Sequence, residues 1–173
     1  MNLKKKITLG IIGKNFGYKV IYKSFLKNKK FKILGFASKS NKNKMNLPKN
    51  IKLYTDWKKL ILNKNIDAIV ISTPPTLHLK IIKFAAKHNK HIFCEKPFTC
   101  SKKEADIVCK LMKKEKKIFH FVNYEFVEID AFKLFKKKIL SKKIIINKIN
   151  LNWFIKIKRS NKSWKEIHKK GGG

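Results

Sequence analysis

The run Asp67-Ala-Ile-Val-Ile-Ser72, cut off by Thr73-Pro74-Pro75, constrains the fold more than any other feature of the chain. A continuous apolar run, rich in β-branched residues and too short for a helix, is the pattern of a strand buried on both faces. Such a strand needs cover above and below, and the neighbouring sequence supplies it as alternating elements. Residues 6–12 are a second apolar run, which ends in the glycine turn Gly13–Gly17 and feeds a helix over 16–29. Residues 31–37 read as a strand and 41–50, with Pro48, as a loop. Asp56 reads as the N-cap of a short helix through 63. Residues 76–87 repeat Leu77, Ile81, Phe84 and Ala85 at helical spacing, 91–94 is a short strand, Ser101 caps a helix to 114, and 118–122 is a strand. This alternation predicts an α/β fold, a doubly wound parallel sheet with right-handed crossovers.

The pattern changes after Asn123. Residues 126–140 read as a helix, and 144–158 alternate in places (Ile149, Leu151, Trp153, Ile155, Ile157) in the manner of a half-buried antiparallel strand. The expectation is a first domain over 1–122 and, over 123–173, the start of an incomplete α+β second domain.

Charge needs care before it is given a function. The net charge is +34, yet the basic residues are all Lys except Arg159, and Lys, Ile, Asn and Phe together exceed half the chain. These amino acids have A/T-rich codons, and the lysines are spread evenly along the sequence, so the bias reads as genomic. A specific nucleic-acid binder concentrates charge on one face and uses Arg for forked contacts. Salt-sensitive adsorption to polyanions is expected on charge alone, a specific nucleic-acid partner is not. An apolar content of 43% excludes a disordered tail. The longest uncharged stretch, 68–79, is too short to span a membrane, and the N-terminal apolar run lacks a signal-peptide cleavage site. Cys94, Cys100 and Cys109 show no metal or redox spacing and read as reduced thiols of a cytoplasmic protein, with Cys94 and Cys100 packed as small hydrophobes.

A glycine turn between a strand and a helix places backbone N–H groups and a helix N-terminus where a diphosphate can sit. The segment Gly13-Lys14-Asn15-Phe16-Gly17 is such a turn, but Asn15 stands where the dinucleotide fingerprint has its second glycine, and Gly17 comes one place before the third. Asn tolerates positive φ best among non-glycine residues, which lets the turn survive. A tight turn with no ligand is an equally good reading of this segment alone. At the end of the second strand, where an acidic residue usually holds the ribose 2′-OH, stand Ser38, Lys39 and Ser40. Hydroxyl and ammonium groups suit a 2′-phosphate, so NADP is favoured over NAD.

The run from Asp67 to His78 with its Thr73-Pro74-Pro75, then Ala85 to Pro97 ending in Glu95-Lys96-Pro97, then Asn123-Tyr124-Glu125-Phe126 and Trp164 with Gly171–Gly173, resembles the glucose–fructose oxidoreductase/inositol dehydrogenase (Gfo/Idh/MocA) family in order along the chain. The resemblance implies a Rossmann-type domain followed by an α/β domain with an open, largely antiparallel sheet, and NAD(P)-dependent hydride transfer on sugars, cyclitols or related polyols. It implies that Thr73 and Pro74 line the nicotinamide ribose with Pro75 and His78 close by, that Glu95 touches the nicotinamide side, and that Asn123 lies near the cofactor. Lys96 would orient or polarise the reacting C–O group, with Glu95 tuning it. His88, His91, His120 and His168 carry no pattern and read as structural.

Full-length members continue past the glycine cluster into a segment with an acidic residue and a histidine that commonly serves as acid–base group. The expectation is therefore cofactor binding with weak or absent activity alone. Two alternatives stand beside it: a half enzyme completed by a second copy or a complementing C-terminal chain, and a basic polyanion-binding protein on the same scaffold.

Overall fold

The computed structural model describes residues 6–39, 45–141, 146–148, 150, 152 and 154. Six strands, β1 (Ile7–Ile12), β2 (Phe31–Ala37), β3 (Lys52–Tyr54), β4 (Ala68–Ile71), β5 (His91–Glu95) and β6 (His120–Asn123), form one sheet in the order β3-β2-β1-β4-β5-β6. Every pairing is parallel. This is the doubly wound order, whose reversal point lies between β1 and β4.

Side-chain alternation along β4 explains the cover on both faces. All four of its residues are buried. Ile69 and Ile71 pack with Leu60 and Ile61 of α2 (Trp57–Ile61), Ile81 and Ala85 of α3 (His78–Lys87), and Val108 and Met112 of α4 (Lys102–Lys114). Ala68 and Val70 point the other way, into a cluster with Leu9, Ile11, Ile21, Tyr22, Ile33 and Phe36. In α3, Ile81, Ile82, Ala85 and Ala86 are buried while Lys80, Lys83 and Lys87 are exposed, so the helix has one apolar stripe.

Both expected caps form. Asp56 accepts a hydrogen bond from Lys58 N at 2.9 Å, and Ser101 Oγ accepts one from Glu104 N at 3.2 Å. Helix α3 ends with Asn89 in the left-handed region (φ 54°), where a short polar side chain is tolerated. Beyond it Lys90 is buried, and its ammonium donates to the carbonyls of Asn63 (2.9 Å) and Ile66 (2.6 Å), which lie between α2 and β4.

Three elements depart from the expectation. The first helix runs over 15–26, with a π-helical turn at Gly17–Tyr22 before α1 (Lys23–Leu26). It stops early because the Asn28 side chain accepts Lys30 N at 3.0 Å, closing a turn. Strand β3 was not anticipated: it has three residues and follows a polar loop, so no periodicity announces it. Strand β6 starts at 120 because Ile118 N bonds back to Glu115 O at 3.1 Å. Downstream, a 3₁₀ turn (Glu125–Glu128) leads into α5 (Asp130–Ser141), none of whose residues is buried. The strand expected over 144–158 falls largely outside the described residues.

Replacing Lys90 by Ala takes the ammonium donor from the buried Ile66 carbonyl and one of two donors from the part-buried Asn63 carbonyl, and is expected to cost about 1–3 kcal/mol. The exposed Lys87→Ala should stay within about 0.5 kcal/mol of the wild type. Urea denaturation of both variants checks the contrast.

Candidate active site

The site begins where the backbones of β1 and β4 end. Gly13 has φ +116°, and a Cβ there would come within 2.1 Å of the Ser72 carbonyl oxygen, so no other residue fits. Gly13 N donates to Ala37 O at 3.0 Å and Ser72 N to Ile12 O at 2.8 Å, which ties β2, β1 and β4 together at this edge. Gly17 is buried against Ile11 and the Ser72 side chain, where a Cβ would approach both within 3.3 Å. Asn15 is helical and Phe16 has φ −66°, so positive φ falls on Gly13 alone. The expectation that Asn15 takes up a left-handed turn position is corrected: the helix has already started there. Asn15 and Phe16 are exposed on its first turn, and a helix start leaves its first N–H groups without intrahelical partners.

A half-open cleft of about 220 Å³ lies over these strand ends, lined by Ile12, Gly13, Ala37, Ser38, Lys39, Thr55, Trp57, Thr73, Pro74 and Leu77. Five residues singled out in the sequence thus meet here: Gly13, Ser38, Lys39, Thr73 and Pro74. Thr55, Trp57 and Leu77 were missed, the first two because they follow the unanticipated β3. Ser38 N donates to Tyr54 O at 3.0 Å, and Lys39 is exposed. The Thr73 hydroxyl is buried and has no hydrogen-bond partner among the described residues, a state that costs about 1–3 kcal/mol.

A second cluster forms at the ends of β5 and β6. The register pairs Glu95 with Asn123, and Asn123 Nδ2 donates to Glu95 Oε1 at 2.7 Å. Glu95 is 6% exposed. Burial pushes its carboxyl above the ordinary carboxylate value, and the nearby Glu125 adds to this against the pull of Asn123 and Lys96. Lys96 Nζ lies 3.1 Å from Glu125 Oε1, and both side chains are nearly half exposed. Partial burial raises the Glu125 carboxyl, but its own backbone N–H and Lys96 outweigh that and hold it below the ordinary value. Lys96 is therefore paired with Glu125, while Glu95, hydrogen-bonded to Asn123, still feels the charge of Lys96. Glu125 was legible only as part of the Asn123–Phe126 landmark.

His78 stands behind the cleft. It is fully buried, with Nε2 2.9 Å from Thr73 O and Nδ1 3.1 Å from Phe98 O, so neither nitrogen is offered to a ligand. Burial holds its imidazole below the ordinary value, against the carbonyls of Thr73, Phe98 and Pro97 and the charge of Glu104. Pro75 is buried beside it at the start of a 3₁₀ turn. Cys94 is buried, and desolvation with the neighbouring Glu95 pushes its thiol up to about 12. Cys100 is exposed, which corrects its expected packing as a small hydrophobe.

Comparison with known proteins agrees with this geometry. The family model described as "Oxidoreductase family, NAD-binding Rossmann fold", that of Gfo/Idh/MocA, matches residues 7–124. The chain belongs to the Gfo/Idh/MocA oxidoreductase family. Among curated members it is 30% identical over 117 residues to the 2,7-anhydro-N-acetylneuraminate hydratase of Escherichia coli, covering 66% of this chain and 31% of that one. It is 35% identical over 83 residues to the levoglucosan dehydrogenase of Pseudarthrobacter phenanthrenivorans, covering 48% and 21%. A solved scyllo-inositol dehydrogenase from Lactobacillus casei, with NAD(H) and scyllo-inositol bound, superposes with a TM-score of 0.67 at 20% identity over 81% of this chain and 42% of that one. The chain thus spans less than half the length of these members, and at that identity the structural likeness speaks for the fold alone.

The described residues fit the dinucleotide that the family binds. The cleft sits at the reversal point of the sheet, the Gly13 backbone leaves room that a Cβ would fill, and the Thr73 hydroxyl is a buried polar atom awaiting a partner.

The raised Glu95 carboxyl carries a pH signature. A buried acid whose value is raised on folding favours the native state while it is protonated, and that contribution is lost as pH rises through the raised value. Wild-type stability, followed by urea midpoint, should therefore fall relative to Glu95→Gln as pH rises from about 4 towards neutrality. The Gln amide cannot ionise and keeps an acceptor for Asn123.

Proposed function

We propose that this chain is the cofactor-binding part of an oxidoreductase that moves a hydride between NAD(P) and a carbinol carbon of a sugar, cyclitol or related polyol. The observation that carries the reading is the pairing of the two clusters: a crevice at the β1/β4 reversal with an unpartnered Thr73 hydroxyl, and the Lys96–Glu125 ion pair on the β5–β6 side. The levoglucosan dehydrogenase among its relatives supports the substrate class.

In this reading the dinucleotide lies across the strand ends, as doubly wound sheets hold their ligands. Gly13, Asn15, Phe16 and Gly17 form the strand-to-helix turn that receives the diphosphate, with N–H groups and the helix dipole aimed at it. Ser38 and Lys39 flank the adenosine ribose, and the exposed Lys39 ammonium favours NADP over NAD. Thr73 and Pro74 line the wall towards the nicotinamide, over Pro75 and His78. Glu95 and Asn123, locked to each other, border the nicotinamide side.

The bound nicotinamide supplies the hydride acceptor, or in the reverse direction the donor. Lys96 supplies charge at the reacting oxygen: its ammonium, held by Glu125 and half exposed, would hydrogen-bond the substrate oxygen and stabilise negative charge as the carbinol proton passes to a base supplied from outside the matched region. Contacts that choose the substrate are assigned to regions outside the match, in the same polypeptide, a second copy or a complementing chain. A first domain over about 1–122, its sheet ending with β6 at Asn123, and a cytoplasmic setting, in keeping with three unpaired cysteines, belong to the same reading.

Titrating the chain with NADPH and NADH at two salt concentrations tests the reading. Saturable binding should survive higher salt, whereas adsorption of any polyanion to a chain of charge +34 should not. Thr73→Val gives a sharper test through opposite signs. Removing the orphan hydroxyl should stabilise the free protein by about 1 kcal/mol and weaken dinucleotide binding about five- to tenfold. If both quantities move together, the hydroxyl is not a cofactor ligand. Lys39→Glu should shift the NADPH:NADH affinity ratio towards NADH by tenfold or so, and an unchanged ratio removes Lys39 from the ribose site.

A further inference from the structure

We infer that His78 and Cys94 form a buried hydrogen-bonded link that sets the Thr73 wall of the crevice against the Glu95-Lys96-Pro97 turn, which makes His78 a positioning residue for the nicotinamide end of the cofactor. The inference rests on the dinucleotide reading and deepens it.

His78 opens α3, yet its ring reaches groups from two other segments. Nε2 is 2.9 Å from the Thr73 carbonyl, which follows β4, and Nδ1 is 3.1 Å from the Phe98 carbonyl, beyond the Glu-Lys-Pro turn. Cys94 Sγ, at the end of β5, lies 3.3 Å from the same Nδ1 and 3.4 Å from the Glu95 carbonyl. A neutral imidazole has one N–H, so it cannot serve both carbonyls. The thiol resolves the competition. Buried and protonated, Cys94 is a donor with two acceptors in reach, Nδ1 and the Glu95 carbonyl; the S–H goes to Nδ1, the shorter of the two contacts, and leaves the ring proton on Nε2 for Thr73. In the other tautomer a bare nitrogen would face the Thr73 oxygen at 2.9 Å, which is the worse of the two clashes.

The consequence follows from where Thr73 stands. Its carbonyl is held by His78 while its hydroxyl, on the same residue, has no partner. Fixing the carbonyl fixes the backbone from which the hydroxyl branches, and the same ring, through Cys94, holds the strand end that leads into Glu95 and Lys96. His78 offers no free nitrogen to the reaction, so its part is to hold two walls in register.

Nitrogen-15 NMR of the histidine rings reads the tautomer directly. The wild-type chain should show His78 neutral with the proton on Nε2. Cys94→Ala, a small truncation, should move the proton to Nδ1, towards Phe98, and release Thr73. Binding is then compared for whichever of NADH and NADPH the wild type holds more tightly, and for ADP or its 2′-phosphorylated form, which lacks the nicotinamide end. Cys94→Ala and His78→Leu should each weaken the dinucleotide about tenfold and leave the adenosine half within about twofold. Equal weakening of both ligands would mean a structural role only, and an Nδ1–H tautomer in the wild type would overturn the link. Full dinucleotide affinity in Cys94→Ala despite a moved proton would overturn the positioning role while the cofactor reading stands. The expected tautomer without saturable dinucleotide binding by the wild type would overturn the cofactor reading and the positioning role with it.

Discussion

Between Gly13 and Ser72 two backbones pass so closely that not even a methyl group fits. Everything else in the site depends on that approach. It brings the ends of β1 and β4 together where the strand order reverses, and the helix that follows β1 starts two residues beyond it, at Asn15. Gly17 continues the constraint one turn later by letting that helix lie on Ile11 and Ser72. A side chain at Gly13 would part the two strand ends, while one at Gly17 would press the helix off Ile11 and Ser72 by a few tenths of an ångström.

Two carboxylates within one cluster are set to different tasks by their surroundings. Glu95 is shut away with an amide as its partner, which favours the neutral acid; Glu125 keeps contact with water and an ammonium, which favours the anion. The same division between a buried acid and a solvated one recurs wherever proteins make neighbouring carboxyl groups behave differently.

The frame of the fold was legible because its signals are strong and local. Four consecutive buried residues in β4, side-chain caps at Asp56 and Ser101, and the helical spacing of α3 each have one physical reading. What escaped depends on partners distant in sequence. Strand β3 is defined by pairing with β2, and with it went Thr55 and Trp57 on the cleft wall. The conformation of Asn15 was misjudged because a missing fingerprint glycine suggests a strained turn, whereas the helix starts early enough to need none. The partner of Lys96 could not be chosen between adjacent and distant carboxylates until the ends of β5 and β6 were placed side by side, and Cys100 was assigned to the interior by residue type although its turn faces solvent.

The edge formed by β6 and α5 leaves Phe119, Phe121, Tyr124, Phe126, Phe132 and Phe135 at least two-fifths exposed. Set against a net charge of +34, this gives the chain a divided colloidal character. In dilute salt, mutual repulsion between copies opposes the attraction of their aromatic faces. At molar salt the screening length shrinks to about 3 Å and the repulsion is gone, while the aromatic faces remain. The lysines that carry no specific message about ligands thus act as a dispersant, and ionic strength decides whether copies of this chain stay apart.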